Sequence, residues 1–366
     1  MFPLYTDMDL NIPLGLTYDD VLLIPQYSEV DTRSEIDLTT KISNQLTLGI
    51  PLITTKMDTV TGVKMCIAIG KLGGLGILPR FESVESQANK VGEVKKQTKN
   101  VAAAIGIKEG YLRRAEALVK AGANVIDIDV AHGHLLKTIN VTKKIKQTFK
   151  EEITLMSGIT STYACAIDLY KAGADCLLVG VGAGATCITR VATGCGVPSV
   201  TSLLETARAA RKFKKTFAPD AGIKTSGDIV KALACGASAI VSGFLFAGTK
   251  ESPSKLIVKG GKKYKEYSGS TSLLQKTIQT KINPEHKNYD FLKHVEGVTG
   301  LIPYTGKLKD VVASLLAGVR SGFSYCGAQN INQLWGNARF IRVTENGRYE
   351  NGSHGLINPQ NQQLPL

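Results

Sequence analysis

The chain lacks paired cysteines. Its seven Cys residues are odd in number and scattered, with no CxxC among them, which argues against a disulfide framework and predicts reduced thiols in a cytoplasmic protein. No apolar run approaches the length of a membrane span, and no charged-then-apolar leader opens the sequence, so no membrane association is expected. Histidine is scarce. His132 and His134 stand two apart with no acidic or Cys partner nearby in sequence, and His286, His294 and His354 are isolated, a pattern without a metal centre. Acidic residues are outnumbered, giving a net charge of +13. The excess sits in short clusters at 95–99, 143–146, 212–215 and 262–265, and no aromatic stacking platform accompanies them. Solvated faces that attract an anionic small substrate are expected, not nucleic-acid binding.

What is present is a repeating α/β pattern over 366 residues. Short β-rich runs at 50–54, 75–78, 101–105, 125–129, 153–156, 176–180, 216–219 and 239–243 alternate with Ala-, Lys- and Leu-rich segments such as 113–121, 162–172, 203–212 and 226–235. Ala-Gly-Ala at 121–123 and 172–174, and Cys-Gly-Ala at 235–237, read as helix caps followed by a strand. Eight such units predict one (β/α)₈ TIM barrel spanning 1–366, with a doubly wound sheet as the alternative. In a barrel the chemistry gathers where the strands end. Asp129, the loop after 176–180, Asp220 and Gly243 all fall there. A polar stretch at 260–304 is expected to be a mobile C-terminal flap over the site, or else a disordered surface loop.

One loop concentrates the chemistry. Val179-Gly-Val-Gly-Ala-Gly-Ala-Thr-Cys-Ile-Thr-Arg190 presents a single thiol among glycines, hydroxyls and an arginine. Thiolate is the reactive form of cysteine, and cations or loop amides favour it. A thiol so held suits covalent attack on an electrophilic carbon. The plainer alternative is a small buried Cys beside a tight turn.

Several motifs in order resemble the IMP dehydrogenase/GMP reductase family. They are Leu16-Thr-Tyr-Asp-Asp-Val-Leu-Leu-Ile-Pro25, Met57-Asp-Thr-Val60, Asp129-Val-Ala-His-Gly133, the Cys187 loop, Ser226-Gly-Asp-Ile-Val-Lys-Ala-Leu233 and Phe246-Ala-Gly-Thr-Lys-Glu-Ser-Pro253. The resemblance implies a homotetrameric barrel of purine metabolism. It implies that Cys187 attacks purine C2 while a nicotinamide cofactor, NADPH or NAD, exchanges hydride there. By the same match Asp220 holds the ribose hydroxyls, Gly222, Gly243 and Tyr267 border the phosphate, and Met57 and Gly269 contact the substrate. Asp129 and Arg80 lie near the cofactor, and backbone carbonyls of Gly182, Gly184 and Cys187 hold potassium. Many dehydrogenases of the family carry a regulatory CBS insert after the second strand. Here 95–99 leads straight to Val101, leaving no room for one.

The resemblance leans toward a GMP reductase, which converts GMP and NADPH to IMP and ammonia. Family reductases expel ammonia with a Thr and a Glu, which Thr189 and Glu296 match. Family dehydrogenases activate water with an Arg-Tyr pair, and the match here is Asn288-Tyr289 beside Lys287; Asn cannot carry arginine's charge. The alternative is an IMP dehydrogenase without the insert, toward which Gly196-Val-Pro198 and Lys250-Glu-Ser-Pro253 lean.

Several positions depart from the family pattern. Ala185 stands where a phosphate-binding Ser is usual, Ala221-Gly222 where Gly-Gly is, Phe244 where a small residue is, Ile159 where Asn is, and Lys56 where a small residue is. Either another donor such as Lys224 or Lys56 cradles the phosphate, or the substrate is a different or unphosphorylated purine. A catalytically dead paralogue is the third possibility.

Overall fold

Eight parallel strands follow one another with a helical return between most of them. They are β1 (Leu52–Thr54), β2 (Leu75–Leu78), β3 (Ala102–Ile105), β4 (Val125–Ile128), β5 (Thr154–Thr160), β6 (Cys176–Val179), β7 (Thr216–Pro219) and β8 (Ile240–Ser242). The computed structural model that shows them describes residues 12–282 and 292–352. Pairing runs β7-β6-β5-β4-β3-β2-β1-β8, and a parallel bridge from Asp220 to Val241 joins the two outer strands. The sheet is therefore a (β/α)₈ TIM barrel. Strands β2, β3, β4 and β6 are buried at every residue, as expected of parallel strands covered on both faces.

The helices most relevant to the site are α1 (Val63–Lys71), α2 (Val84–Lys95), α3 (Tyr111–Lys120), α4 (Leu136–Phe149), α5 (Tyr163–Lys171), α6 (Thr189–Thr193), α7 (Ser199–Phe213), α8 (Ser226–Ala234), α9 (Phe244–Ala247), α10 (Leu273–Ile282) and α11 (Leu308–Tyr325). Their starts are written locally. Ser83 and Thr162 accept the amides of Ser86 and Cys165, and Thr225 with Asp228 forms a reciprocal capping box. Their ends use the glycines of the repeated caps, with φ of 109° at Gly122, 105° at Gly173 and 104° at Gly236.

Three apolar clusters hold the barrel. Ile53, Leu75, Ile77, Val125, Met156, Leu178 and Val241 fill its interior, and Ile42, Leu46 and Leu48 from the hairpin Thr40–Lys41/Thr47–Leu48 join them. Two outer clusters lie between strands and helices. On α11, Leu308, Val312, Leu315, Val319 and Phe323 are buried at helical spacing. Each such side chain contributes about 1.5–3 kcal/mol when removed from water.

The polar stretch at 260–304 is more regular than its composition suggests. Strands β9 (Leu256–Lys259), β10 (Lys262–Ser268) and β11 (Thr299–Pro303) form an antiparallel sheet, and α10 follows β10. Its polarity is internal. Ser268 Oγ lies 2.8 Å from Ser272 Oγ and 2.6 Å from Thr299 Oγ1, so hydroxyls satisfy one another where apolar side chains would otherwise pack.

Candidate active site

Cys187 stands between β6 and α6, on a loop held from two sides. Arg190 donates from Nε and Nη2 to the Val181 carbonyl at 3.2 and 3.0 Å, and from Nη2 to that of Val197 at 2.7 Å. A Cβ at Gly182 or Gly196 would lie 2.5 or 2.6 Å from the Arg190 Cγ. From the flap, Ile188 donates to the Glu296 carbonyl at 2.9 Å and Val298 to that of Thr186 at 2.9 Å. Cys187 also bridges Gly297 in antiparallel fashion.

This stitching brings a hydrogen-bonded chain to the thiol. The Cys187 thiol donates to Thr189 Oγ1 at 3.1 Å, and the Thr189 hydroxyl donates to Glu296 Oε2 at 2.7 Å. The contrast with the buried cysteines is clear. Burial pushes the Cys176 and Cys235 thiols up to about 12 and Cys165 up to about 11, so these stay protonated, whereas Cys187 is only half-buried and faces the cavity.

The cavity in front of Cys187 holds about 190 Å³. It brings together Met57, Asp129, Gly182, Gly184, Thr189, Asp220, Gly222, Gly243, Tyr267, Gly269 and Glu296 with the thiol, all residues singled out from sequence. Gly243 is fixed by close approach: a Cβ there would lie 2.7 Å from Tyr267 Oη and 3.2 Å from Met57 Sδ. Tyr267 is held well above the usual phenol range by burial and the Asp220 charge, against a smaller opposing pull from Thr186.

Asp220 is already engaged. Thr55 Oγ1 donates to its Oδ1 at 3.2 Å and Lys56 Nζ to its Oδ2 at 2.6 Å. The same ammonium lies 3.2 Å from Asp127 Oδ2 and 3.9 Å from Asp129 Oδ1. Asp129 in turn accepts Arg80 Nε at 2.9 Å. Burial opposes the Lys56 charge, but three carboxylates outweigh it and hold the amine above its ordinary range. Asp127, inside the barrel on β4, makes no aligned hydrogen bond. Its carboxyl is pushed up to about 7 by burial and by its acidic neighbours, against the pull of Lys56.

The two lysines offered as phosphate donors are placed as follows. Lys224, offered as a phosphate cation, is not among the residues lining this cavity. It lines a neighbouring space of about 360 Å³ and stands 3.8 Å from Asp19. Lys56, the other offered donor, is directed at carboxylates. Tyr289, with Lys287 and Asn288, lies outside the described residues. Asp127 was missed by sequence reasoning, although an acid at an inward position of an otherwise apolar strand was a usable signal.

A third space of about 510 Å³ adjoins the first through Ala131, Ser270 and Thr271. Arg80, Phe81, Gly106, Tyr111, Arg113 and Arg114 line it. Its arginines suit a pyrophosphate and its apolar and aromatic walls suit rings, so these residues fit a nicotinamide dinucleotide.

A family model for the IMP dehydrogenase / GMP reductase domain matches residues 15–354. The chain belongs to this family. An inosine-5′-monophosphate dehydrogenase of Borreliella burgdorferi is 35% identical over 395 residues, covering 94% of this chain and 97% of the relative. One from Cryptosporidium parvum is 36% identical over 396 residues, covering 94% and 96%. A GMP reductase variant of Trypanosoma brucei, solved in complex with guanosine 5′-monophosphate, superposes with a TM-score of 0.90 at 28% identity, covering 95% of this chain and 99% of that one. As a member of the IMP dehydrogenase/GMP reductase family, the chain is an oxidoreductase of a group that handles purine nucleotides with a nicotinamide cofactor. Among the described residues, no helix is long and apolar enough to cross a membrane.

Proposed function

We propose that the chain carries out reductive deamination at purine C2, the GMP reductase reaction, in which a guanine compound, NADPH and two protons give the hypoxanthine compound, NADP⁺ and ammonium. The observation that supports it is the Cys187–Thr189–Glu296 chain, with steps of 3.1 and 2.7 Å. Thr189 accepts the thiol proton and passes its own toward Glu296, leaving Cys187 as thiolate. The sulfur attacks C2. Glu296, through Thr189, returns a proton to the exocyclic amine, which departs as ammonia and leaves a thioimidate. A nicotinamide cofactor held along Arg80, Tyr111 and Arg114 would supply hydride at C2. The C–S bond then breaks, restoring the thiolate. Asp220 orients the sugar, and Asp129, on the substrate cavity, holds Arg80, which lines the cofactor space.

The Gly182, Gly184 and Cys187 carbonyls fit a monovalent cation such as potassium by donor type. The Gly184 carbonyl already accepts the Cys187 amide at 3.0 Å, leaving one lone pair for a cation. A homotetramer is part of the same proposal and is measured by the mass of the purified protein.

Oxidation of IMP with NAD is the second reading. The sequence relatives named above are IMP dehydrogenases, and Glu296 is as able to take a proton from water as to give one to an amine. Purified enzyme offered GMP with NADPH, and separately IMP with NAD, decides between them by absorbance at 340 nm and ammonia release. NADH formation from IMP without NADPH oxidation by GMP would overturn the reductive reading.

A further inference from the structure

The charge lining the cavity is one-sided. Asp129, Asp220 and Glu296 face it, and Lys56 is its only ammonium among the described residues. That ammonium is fully committed, with Asp220 at 2.6 Å, Asp127 at 3.2 Å and Asp129 at 3.9 Å, and its side chain is 6% exposed. No cation is left over for a ligand.

Barrels commonly bind phosphate beyond β7 and β8, on helix N-terminal amides. Beyond β7, Asp228 Oδ2 accepts the amides of Lys224 at 3.0 Å and Thr225 at 3.1 Å, while Thr225 Oγ1 accepts that of Asp228. Asp228 thus takes up the first amides of α8, and it lines the neighbouring space, not this cavity. Beyond β8, the amide of Leu245 goes to Ser242 Oγ at 3.3 Å, and those of Phe246 and Ala247 to the Gly243 carbonyl. Of the side chains facing the cavity here, Ala185, Ala221 and Phe244 carry no donor, and the Ser242 hydroxyl is taken up with the Leu245 amide. Arg190, Lys224 and Arg348 open on the neighbouring space; Arg190 is tied to the Val181 and Val197 carbonyls, and Lys224 and Arg348 approach Asp19 at 3.8 and 3.0 Å. A phosphate dianion would depend on the remaining loop amides and on neutral hydroxyls such as those of Thr186, Ser270, Thr271 and Tyr267, with no cation and against an acidic lining.

We infer that the substrate is a purine nucleoside, uncharged at its 5′ end, and not a nucleoside monophosphate. This deepens the proposed reaction at Cys187 and rests on it for the purine. Asp220 retains lone pairs for sugar hydroxyls, and the apolar Phe244 lines the cavity.

The test uses the intact enzyme with guanosine and GMP side by side, each with NADPH. Ammonia release gives kcat/KM, and calorimetry on Cys187→Ala gives Kd without turnover. The expected result is a kcat/KM and an affinity at least tenfold better for guanosine. Better turnover or tighter binding of GMP would overturn the nucleoside assignment while leaving the reductive reaction standing. Tighter guanosine binding without ammonia release would do the opposite. Binding of neither ligand would overturn the assignment. As a second arm, Ala185→Ser with Phe244→Ser should move the preference toward GMP by about tenfold or more, the effect of one hydroxyl on a charged partner. No movement would show that these two positions do not set the choice and would overturn the inference.

Discussion

Thr189 donates its hydroxyl hydrogen to Glu296 across 2.7 Å and 107 residues of chain. That contact unites the cysteine loop with the flap and supplies a route for a proton in either direction. Glu296→Gln keeps the shape and removes the acid. It should lower ammonia release by about 10²-fold or more, the usual range of acid–base contributions. Activity near the parent level would remove Glu296 from the mechanism.

Cys187→Ser should abolish turnover with the thermal unfolding midpoint unchanged. A serine hydroxyl with no dedicated base is a much poorer nucleophile than a thiolate. Substantial residual activity in this variant is incompatible with a covalent route.

Lys56 holds three carboxylates apart. Lys56→Met leaves Asp127 buried and uncompensated, and should destabilise by about 3–5 kcal/mol in urea melts, as broken buried pairs do. Adding Asp127→Asn should recover a good part of that loss. If the two changes simply add, the pair is not coupled.

The pH dependence of stability has a defined sign. Asp127 is pushed up to about 7 in the fold, against about 3.9 in an unfolded chain. Between those values the folded protein holds the extra proton. Stability therefore falls as pH rises from about 4 to 7 and levels off above. Asp127→Asn should flatten that segment of the curve, seen as melting temperature against pH. An unchanged slope assigns the dependence to other groups.

Ala221 has φ of 131°, a left-handed region that costs a residue with a Cβ about 1–2 kcal/mol. Ala221→Gly relieves the strain but loosens the unfolded chain, for a net gain of about 0.5–1 kcal/mol. A lower unfolding midpoint in denaturant would contradict this.

The barrel was legible because its strands are short apolar runs, and β4, β6 and β8 each begin just after a Gly-marked cap. Thr216–Pro219 and Leu75–Leu78 coincide with their expected limits. β5 runs on to Thr160, past the expected end at 156, because its partner β6 continues to pair with it after a register shift between Ser157 and Thr160. In the site, Cys187, Thr189, Asp220 and Glu296 stood out as reactive types within motifs. The Lys56–Asp127 pair did not, since it joins β4 to the loop after β1 across the barrel and has no sequence spacing to betray it. The order within 260–304 was hidden for a related reason. Hydroxyl-to-hydroxyl bonds such as Ser268 to Thr299 look from sequence like solvent exposure.

The Arg190 side chain changes what the loop glycines mean. Its stem fills the ground beside Gly182 and Gly196, and its head ties the Val181 and Val197 carbonyls. Gly196 lines none of the cavities described above. Any larger residue there displaces the arginine, frees both carbonyls, and slackens the segment that aims the sulfur. A mutational scan would therefore score position 196 as if it touched a ligand, when its only customer is a neighbouring side chain.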